Sequence, residues 1–315
     1  MYRYRVAFLL ATSFFTVQVA AQTPRAAFES YKAADQKIKK GDLEGAIEDL
    51  SIAIEISSRL ETKRSAPERT DKNRFKHSTD DSSSITVIDP FTADAYTRRG
   101  FARYLLGDVD SALRDWDCAI RINPGLAAAY FDRGMARLVK GDKVGAVSDW
   151  SSALAINPHQ AIAYSNRGAV RFDLSQTEEA LGDFDEAIRL TPHVAQNYRL
   201  RGFIWVKKKN WKRALTDFEN AIRLDRQIAW AYSGRGIAKM ALNELGAAIA
   251  DFTRAVSLDP SIAEAYENRG LAELLQGRDL EAKNDFARAL ALKPEDRVDL
   301  KTRIKAAEEA RSAKQ

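Results

Sequence analysis

The residues best suited to chemistry in this chain are arginines that recur at a fixed step of 34 residues: Arg99, Arg133, Arg167, Arg201, Arg235 and Arg269. Arg103, Arg137, Arg171 and Lys239 follow four of them by one helical turn. A row of guanidinium groups on one surface would make an anion-binding ladder. Six aspartates keep the same step, however, at Asp115, Asp149, Asp183, Asp217, Asp251 and Asp285. Semi-buried charges need partners, so each arginine is expected to pair with the aspartate of its own repeat, holding two helices together.

Other reactive side chains are sparse. His159 and His193 follow Pro158 and Pro192 at matching places, and His77 stands apart. Two lone histidines with no thiol or carboxylate cluster predict no metal site. Cys118 is the sole cysteine, so no intramolecular disulfide is possible; its counterparts Ser152, Glu186, Asn220, Arg254 and Arg288 predict an exposed thiol. The sequence has no phosphate loop, nucleophile elbow or paired-cysteine motif, and no catalytic residue, cofactor site or metal site is expected. The densest charge cluster, Lys207 to Arg213, offers Lys207, Lys208 and Lys209 as a secondary contact for an anionic surface.

The elements that position these groups follow from the same period. Tyr96 recurs as Tyr130, Tyr164, Tyr198, Tyr232 and Tyr266, and an aromatic residue follows each aspartate, from Trp116 to Phe286. A closing proline recurs at Pro124, Pro158, Pro192, Pro260 and Pro294, with Arg226 in the remaining copy. Each copy is expected to hold one helix from about Ala93 to Leu106 and a second from about Asp110 to Ile122. Gly107-Asp108, Gly141-Asp142 and Gly277-Arg278 are the expected turns, with Ser175, Lys209 and Asn243 in the glycine position elsewhere. Asp110 and Thr177 are the expected N-caps of second helices.

Counted from Ala93, the eighth position is Gly100, the twentieth Ala112, the twenty-fourth Trp116, the twenty-seventh Ala119 and the thirty-second Pro124. This 34-residue pattern resembles the tetratricopeptide repeat. The resemblance implies an all-α, right-handed superhelical solenoid of antiparallel helix hairpins, with first helices lining a concave groove that binds a segment of another protein. Groove-facing side chains in that family come from the second, fifth, sixth, ninth, twelfth and thirteenth positions of each first helix. The candidate contacts are Phe131, Asn166, Arg199, Trp230, Glu267 and Asn268. Most ninth and twelfth residues, such as Phe101, Tyr104, Leu271 and Leu274, are expected to pack between helices. The lysine, asparagine and arginine clamp by which chaperone-binding members capture a C-terminal carboxylate is missing, since the fifth positions read Thr97, Phe131, Ser165, Arg199, Ser233 and Glu267.

The chain has 315 residues, with 49 Lys+Arg against 44 Asp+Glu spread along its length. That balance speaks against nucleic acid as a partner. Residues 1–21 read as a secretory signal: Arg3 and Arg5 precede an apolar run from Val6 to Val17, and Val19-Ala20-Ala21 suits cleavage before Gln22. The expected location is periplasmic; an uncleaved segment would instead tether an envelope assembly factor to the membrane. Residues 22–60 read as a degenerate first repeat, in which Gly41-Asp42, Ala46 and Asp49-Leu50 match Gly107-Asp108, Ala112 and Asp115-Trp116. The register then needs an insertion at about Ser58 to Asp89, and residues 61–92 are expected to be a charged, disordered or only partly helical insert. Six regular repeats span 93–296. Residues 297–315 are expected to form a capping helix with Leu300, Ile304 and Ala307 as its buried stripe.

Overall fold

The computed structural model describes residues 25–65 and 90–313, in two compact units, one ending at Pro158 and one beginning at His159. The signal segment, His77 and residues 66–89 of the insert lie outside the described residues. The first unit contains α1 (Arg25–Lys40), α2 (Leu43–Ser65), α3 (Pro90–Leu105), α4 (Val109–Ile122), α5 (Ala127–Val139) and α6 (Lys143–Ile156). The second contains α7 (Ala161–Asp173), α8 (Thr177–Leu190), α9 (Ala195–Lys207), α10 (Trp211–Leu224), α11 (Ala229–Ala241), α12 (Leu245–Leu258), α13 (Ala263–Leu275) and α14 (Asp279–Leu292). A 3-10 turn at Pro294–Asp296 then leads to α15 (Arg297–Ser312). The described residues are all-α, and successive hairpins stack within each unit.

Each hairpin turns through one left-handed residue. At the α3–α4 corner Gly107 has φ 87°; its N–H donates to the Tyr104 carbonyl and that of Asp108 to the Arg103 carbonyl. This pair of bonds caps the helix end and reverses the chain in two residues. The same geometry is forced on Ser175, Lys209 and Asn243, whose φ values are 62°, 55° and 62°. So short a corner makes the residue after the left-handed one the N-cap of the next helix. The caps are therefore Asp108, Asp142 and Asn210, which accept from the backbone N–H of Ser111, Gly145 and Arg213. Asp110 and Thr177, expected as caps, lie inside the first turns of α4 and α8. Second helices end on an extended residue: Asn123, before Pro124, has φ −133°, and Asp225, before Arg226 in the copy that lacks the proline, has φ −145°.

The ends of the proposed insert are helical, since α2 continues through residues 61–65 and α3 starts at Pro90. The cause at the second end is packing: Phe91 and Thr92 are buried, and Phe91 joins Ala27 and Ala53 in a core cluster. The first hairpin keeps part of the repeat chemistry. Lys37 pairs with Asp49 at 2.8 Å, the counterparts of Arg103 and Asp115, while Ala33 stands in the arginine position.

The large side chains that close the five hairpins from α3–α4 to α11–α12 are Trp116, Trp150, Phe184, Phe218 and Phe252, all fully buried. Their space is made by glycine. A Cβ on Gly202 would fall 2.8 Å from the Phe218 ring, and one on Gly234 only 2.3 Å from it, so the ring is held between two first helices at backbone distance.

Candidate partner-binding surfaces

The arginine row is not an anion site. Each of the six arginines grips the aspartate sixteen residues on: Arg99 bonds Asp115 through Nη2 at 2.8 Å and Nε at 3.0 Å, and Arg133 bonds Asp149 at 2.6 and 2.9 Å. Arg167, Arg201, Arg235 and Arg269 repeat the fork on Asp183, Asp217, Asp251 and Asp285. Arg103, Arg137, Arg171 and Lys239 add a second cation at 2.8 to 2.9 Å. Each aspartate is buried, so the cations satisfy a carboxylate that water no longer reaches. The hydrogen bonds to Asp251 and Asp285 hold Arg235 and Arg269 above their ordinary values. The repeated tyrosine completes the motif, with the Arg99 guanidinium 5.2 Å over the Tyr96 ring and Arg133 5.6 Å over Tyr130.

In the second unit the candidate residues separate into two groups. Arg199 and Trp230 come together around Phe203: the guanidinium lies 5.8 Å from that ring, and the indole meets it edge-on at 6.4 Å. Arg199 is buried and donates through Nε to Gln196 at 3.0 Å, so its charge already serves the helix surface around it. Asn166 is half-buried on α7. Beside it, Ser165 donates to the buried Asn197, a polar contact between α7 and α9 that the sequence did not single out.

Glu267 and Asn268 were expected to meet a partner; instead they are taken by the chain itself. Arg303 of α15 donates to Glu267 Oε2 at 2.8 Å and to Asn268 Oδ1 at 2.6 Å. Leu300, Ile304 and Ala307 pack with Leu271, Leu274 and Met240, while Arg311 bonds the Leu274 carbonyl and pairs with Asp279. The side of α13 that α15 covers carries its fifth, sixth, ninth and twelfth positions. The physical reason is that an amphipathic helix buries its apolar stripe against apolar side chains within reach, here Leu271 and Leu274 of α13 and Met240 of α11.

The first unit has a different groove side. Phe131 is half-buried on α5, and its carbonyl accepts from the Trp150 indole at 3.2 Å. Its neighbour Asp132, which sequence reasoning passed over, is partly buried and has no hydrogen-bond or ion-pair partner among the described residues. Burial pushes its carboxyl up to about 7; burial, and after it the Asp132 charge, raises Tyr104 on α3. A survey of sixth positions would have found it, because Arg98, Asp132, Asn166, Leu200, Gly234 and Asn268 include a single acid.

The lysine cluster is partly spoken for. Lys207 lies 5.1 Å over the Phe172 ring, Lys208 pairs with Glu178, and Arg213 stacks 4.7 Å over Trp205. Lys208, Lys209, Asn210, Trp211, Lys212 and Leu242 line a shallow depression of 360 Å³. Cys118 is half-buried rather than exposed, and Arg121 donates to its Sγ at 3.2 Å. His159 and His193 are exposed. Among the described residues no group of three or more His, Cys, Asp and Glu could hold a metal ion, and no helix is long and apolar enough to cross a membrane.

One buried acid breaks the ladder. Glu273 stands where Arg103, Arg137, Arg171 and Lys239 supply a cation, and its Oε2 is buried with no partner. Burial, then the Asp285 carboxylate, pushes Glu273 up to about 7; Glu281 acts the same way, with Arg269 and Arg278 opposing. The native chain thus keeps a proton that the unfolded chain releases near the ordinary value of 4.5, and stability falls as pH rises from there to about 7. Glu273→Gln removes that loss. Its expected stability gain over the parent is about 1–3 kcal/mol at pH 8 and close to nothing at pH 4. Thermal melts of both proteins across that range check it, and an equal difference at both ends would refute the assignment.

Residues 233–297 match the model of the tetratricopeptide repeat family. No curated protein sequence matches the chain. Among solved structures, the chain is similar to a tetratricopeptide repeat protein from Parabacteroides merdae, at 19% identity and TM-score 0.55, covering 90% of this chain and 99% of that one. It is also similar to the C-terminal part of a TPR repeat-containing protein from Cytophaga hutchinsonii, at 18% identity and TM-score 0.57, covering 86% and 98%. A third is YrrB, described as a TPR protein with an unusual peptide-binding site, at 22% identity and TM-score 0.50, covering 59% and 96%. At these identities the likeness is one of fold. The family match covers residues 233–297, and the same hairpin and buried ion pair recur in each regular repeat before them, so the described repeats share the tetratricopeptide-repeat fold.

Proposed function

We propose that this protein is a non-enzymatic scaffold of the cell envelope, binding a segment of another protein along the groove side of its first helices. The observation that carries the reading is α15, an amphipathic helix already seated on the groove-side positions of α13 through Leu300, Arg303 and Ile304. That surface therefore has the chemistry to hold a helical segment. The peptide-binding site named for YrrB supports the same use of the fold. Support for export is the composition of residues 1–21, with its two arginines, apolar run and small residues before Gln22.

The test is site-specific photocrosslinking in cells. A benzophenone side chain at Phe131 or Asn166 is expected to capture a partner, and one at the exposed second-helix sites Arg254 or Arg288 is not. The recovered protein is expected to begin at Gln22. Equal capture from both sets of sites would overturn the groove reading, and a chain beginning at Met1 would replace the exported form with the tethered one.

A further inference from the structure

The first unit makes one interaction at the sixth position of α3 and lacks it one repeat later. At the sixth position of α3, Arg98 is neutralised from two directions: Asp35, at the ninth position of α1, accepts from its Nη1 at 2.6 Å, and Asp94, four residues back on α3, accepts from its Nε at 2.9 Å. Asp94 also accepts from the Tyr31 hydroxyl. One repeat later the sixth position is Asp132, and the corresponding places hold Phe101 and Ala128. Neither can neutralise a carboxylate. The acid is left on a surface bearing Tyr104, whose ring packs 6.0 Å from Trp116, with Phe131 next to it in the chain.

The second unit shows what satisfies an acid on this face. Glu267, at the fifth position of α13, is met by Arg303, which also bonds Asn268 at the sixth. The guanidinium arrives on a helix whose Leu300, Ile304 and Ala307 cover the ninth and twelfth positions, Leu271 and Leu274. On α3 and α5 the corresponding ninth and twelfth residues include Phe101, Tyr104, Met135 and Leu138, all apolar or aromatic. Burying a carboxylate without a partner is costly, and a charged hydrogen bond from a cation is the strong remedy.

We infer that Asp132 is the anchor for a Lys or Arg side chain of a partner protein's amphipathic segment, one patterned like α15 with apolar residues beside the cation. This rests on the groove reading above and adds the chemistry of the occupant. Apolar contact with Phe101 and Tyr104 supplies area, and the carboxylate selects for the cation and sets the register of the segment. Anionic or purely apolar segments leave Asp132 desolvated and unpaired, so they are selected against.

The test is selection of random dodecamer peptides on phage against the full chain, followed by binding of the selected peptides, as labelled synthetic versions, to the parent and to Asp132→Asn. Asp132→Asn is close to isosteric, and a thermal melt confirms that the variant is folded. The expected result is a Lys or Arg at one shared position, with binding weakened about tenfold to hundredfold by Asp132→Asn. Replacing that peptide cation by norleucine should weaken binding to the parent as much, and to the variant hardly at all. Selected peptides that lack a shared cation, or that bind both proteins equally, would overturn the Asp132 assignment while leaving the groove in place. If no peptide is enriched at all, the groove reading and the anchor both fall.

Discussion

Asp149→Ala is expected to cost about 3 kcal/mol or more, because it strands two cations that the carboxylate now holds. Asp149 is buried, accepts from Arg133 at 2.6 and 2.9 Å, and pairs with Arg137 at 2.9 Å. Arg133 has an outlet in Asp117 at 2.6 Å, on a half-exposed partner, and Arg137 is itself partly solvated; these limit the loss without removing it. Asp149→Asn keeps the shape and an acceptor but drops the charge, so its loss should be about half as large. In a repeat array each unit touches only its neighbours. The damage should therefore appear as faster amide exchange in α5 and α6, with much less change in α1 or α2. A melting temperature and exchange pattern unchanged in Asp149→Ala would show that the forks contribute nothing to stability.

Phe218→Ala is expected to cost about 3–5 kcal/mol, the range for removing a fully buried aromatic ring from a site that cannot collapse. Collapse is blocked by backbone. The ring sits between Gly202 on α9 and Gly234 on α11, with Phe203 packed edge-on at 5.1 Å. Adding a methyl at Gly234 alone should cost about 1–3 kcal/mol by overpacking, since that carbon would lie 2.3 Å from the ring. The double variant Phe218→Ala with Gly234→Ala should be more stable than the sum of the two losses predicts, because the cavity left by the ring receives the methyl. Urea unfolding of the three variants measures this coupling. Strict additivity would mean that Gly234 is needed for backbone freedom and not to admit the ring.

The pairing of Arg99 with Asp115 was legible because both partners lie within one hairpin, separated by a turn of known length. The hairpin corners were nearly so. What slipped was the start of the second helix, since a two-residue corner makes Asp108 the cap and leaves Asp110 inside the first turn. The burial of Cys118 was misjudged because polar residue types in other repeats suggested an outward site, whereas Ser152, Glu186 and Asn220 are half-buried as well, and an arginine three residues on covers Glu186 and Asn220 as Arg121 covers Cys118.

That Arg303 of the chain itself occupies Glu267 and Asn268 was not legible in the sequence. Arg303 lies 36 residues beyond Glu267, outside the period, and no spacing announces that α15 turns back onto α13 rather than leaving the array. The same holds for Asp132, whose type is plain in the sequence but whose lack of a partner appears only when every neighbour has been placed. The sequence by itself determined the repeat, its hairpins and its buried ion pairs, because these arise from contacts at fixed short separations that repeat identically. Only the tertiary structure decided which groove-side positions are filled by the chain and which acids stand without a cation, because those outcomes depend on elements that do not repeat.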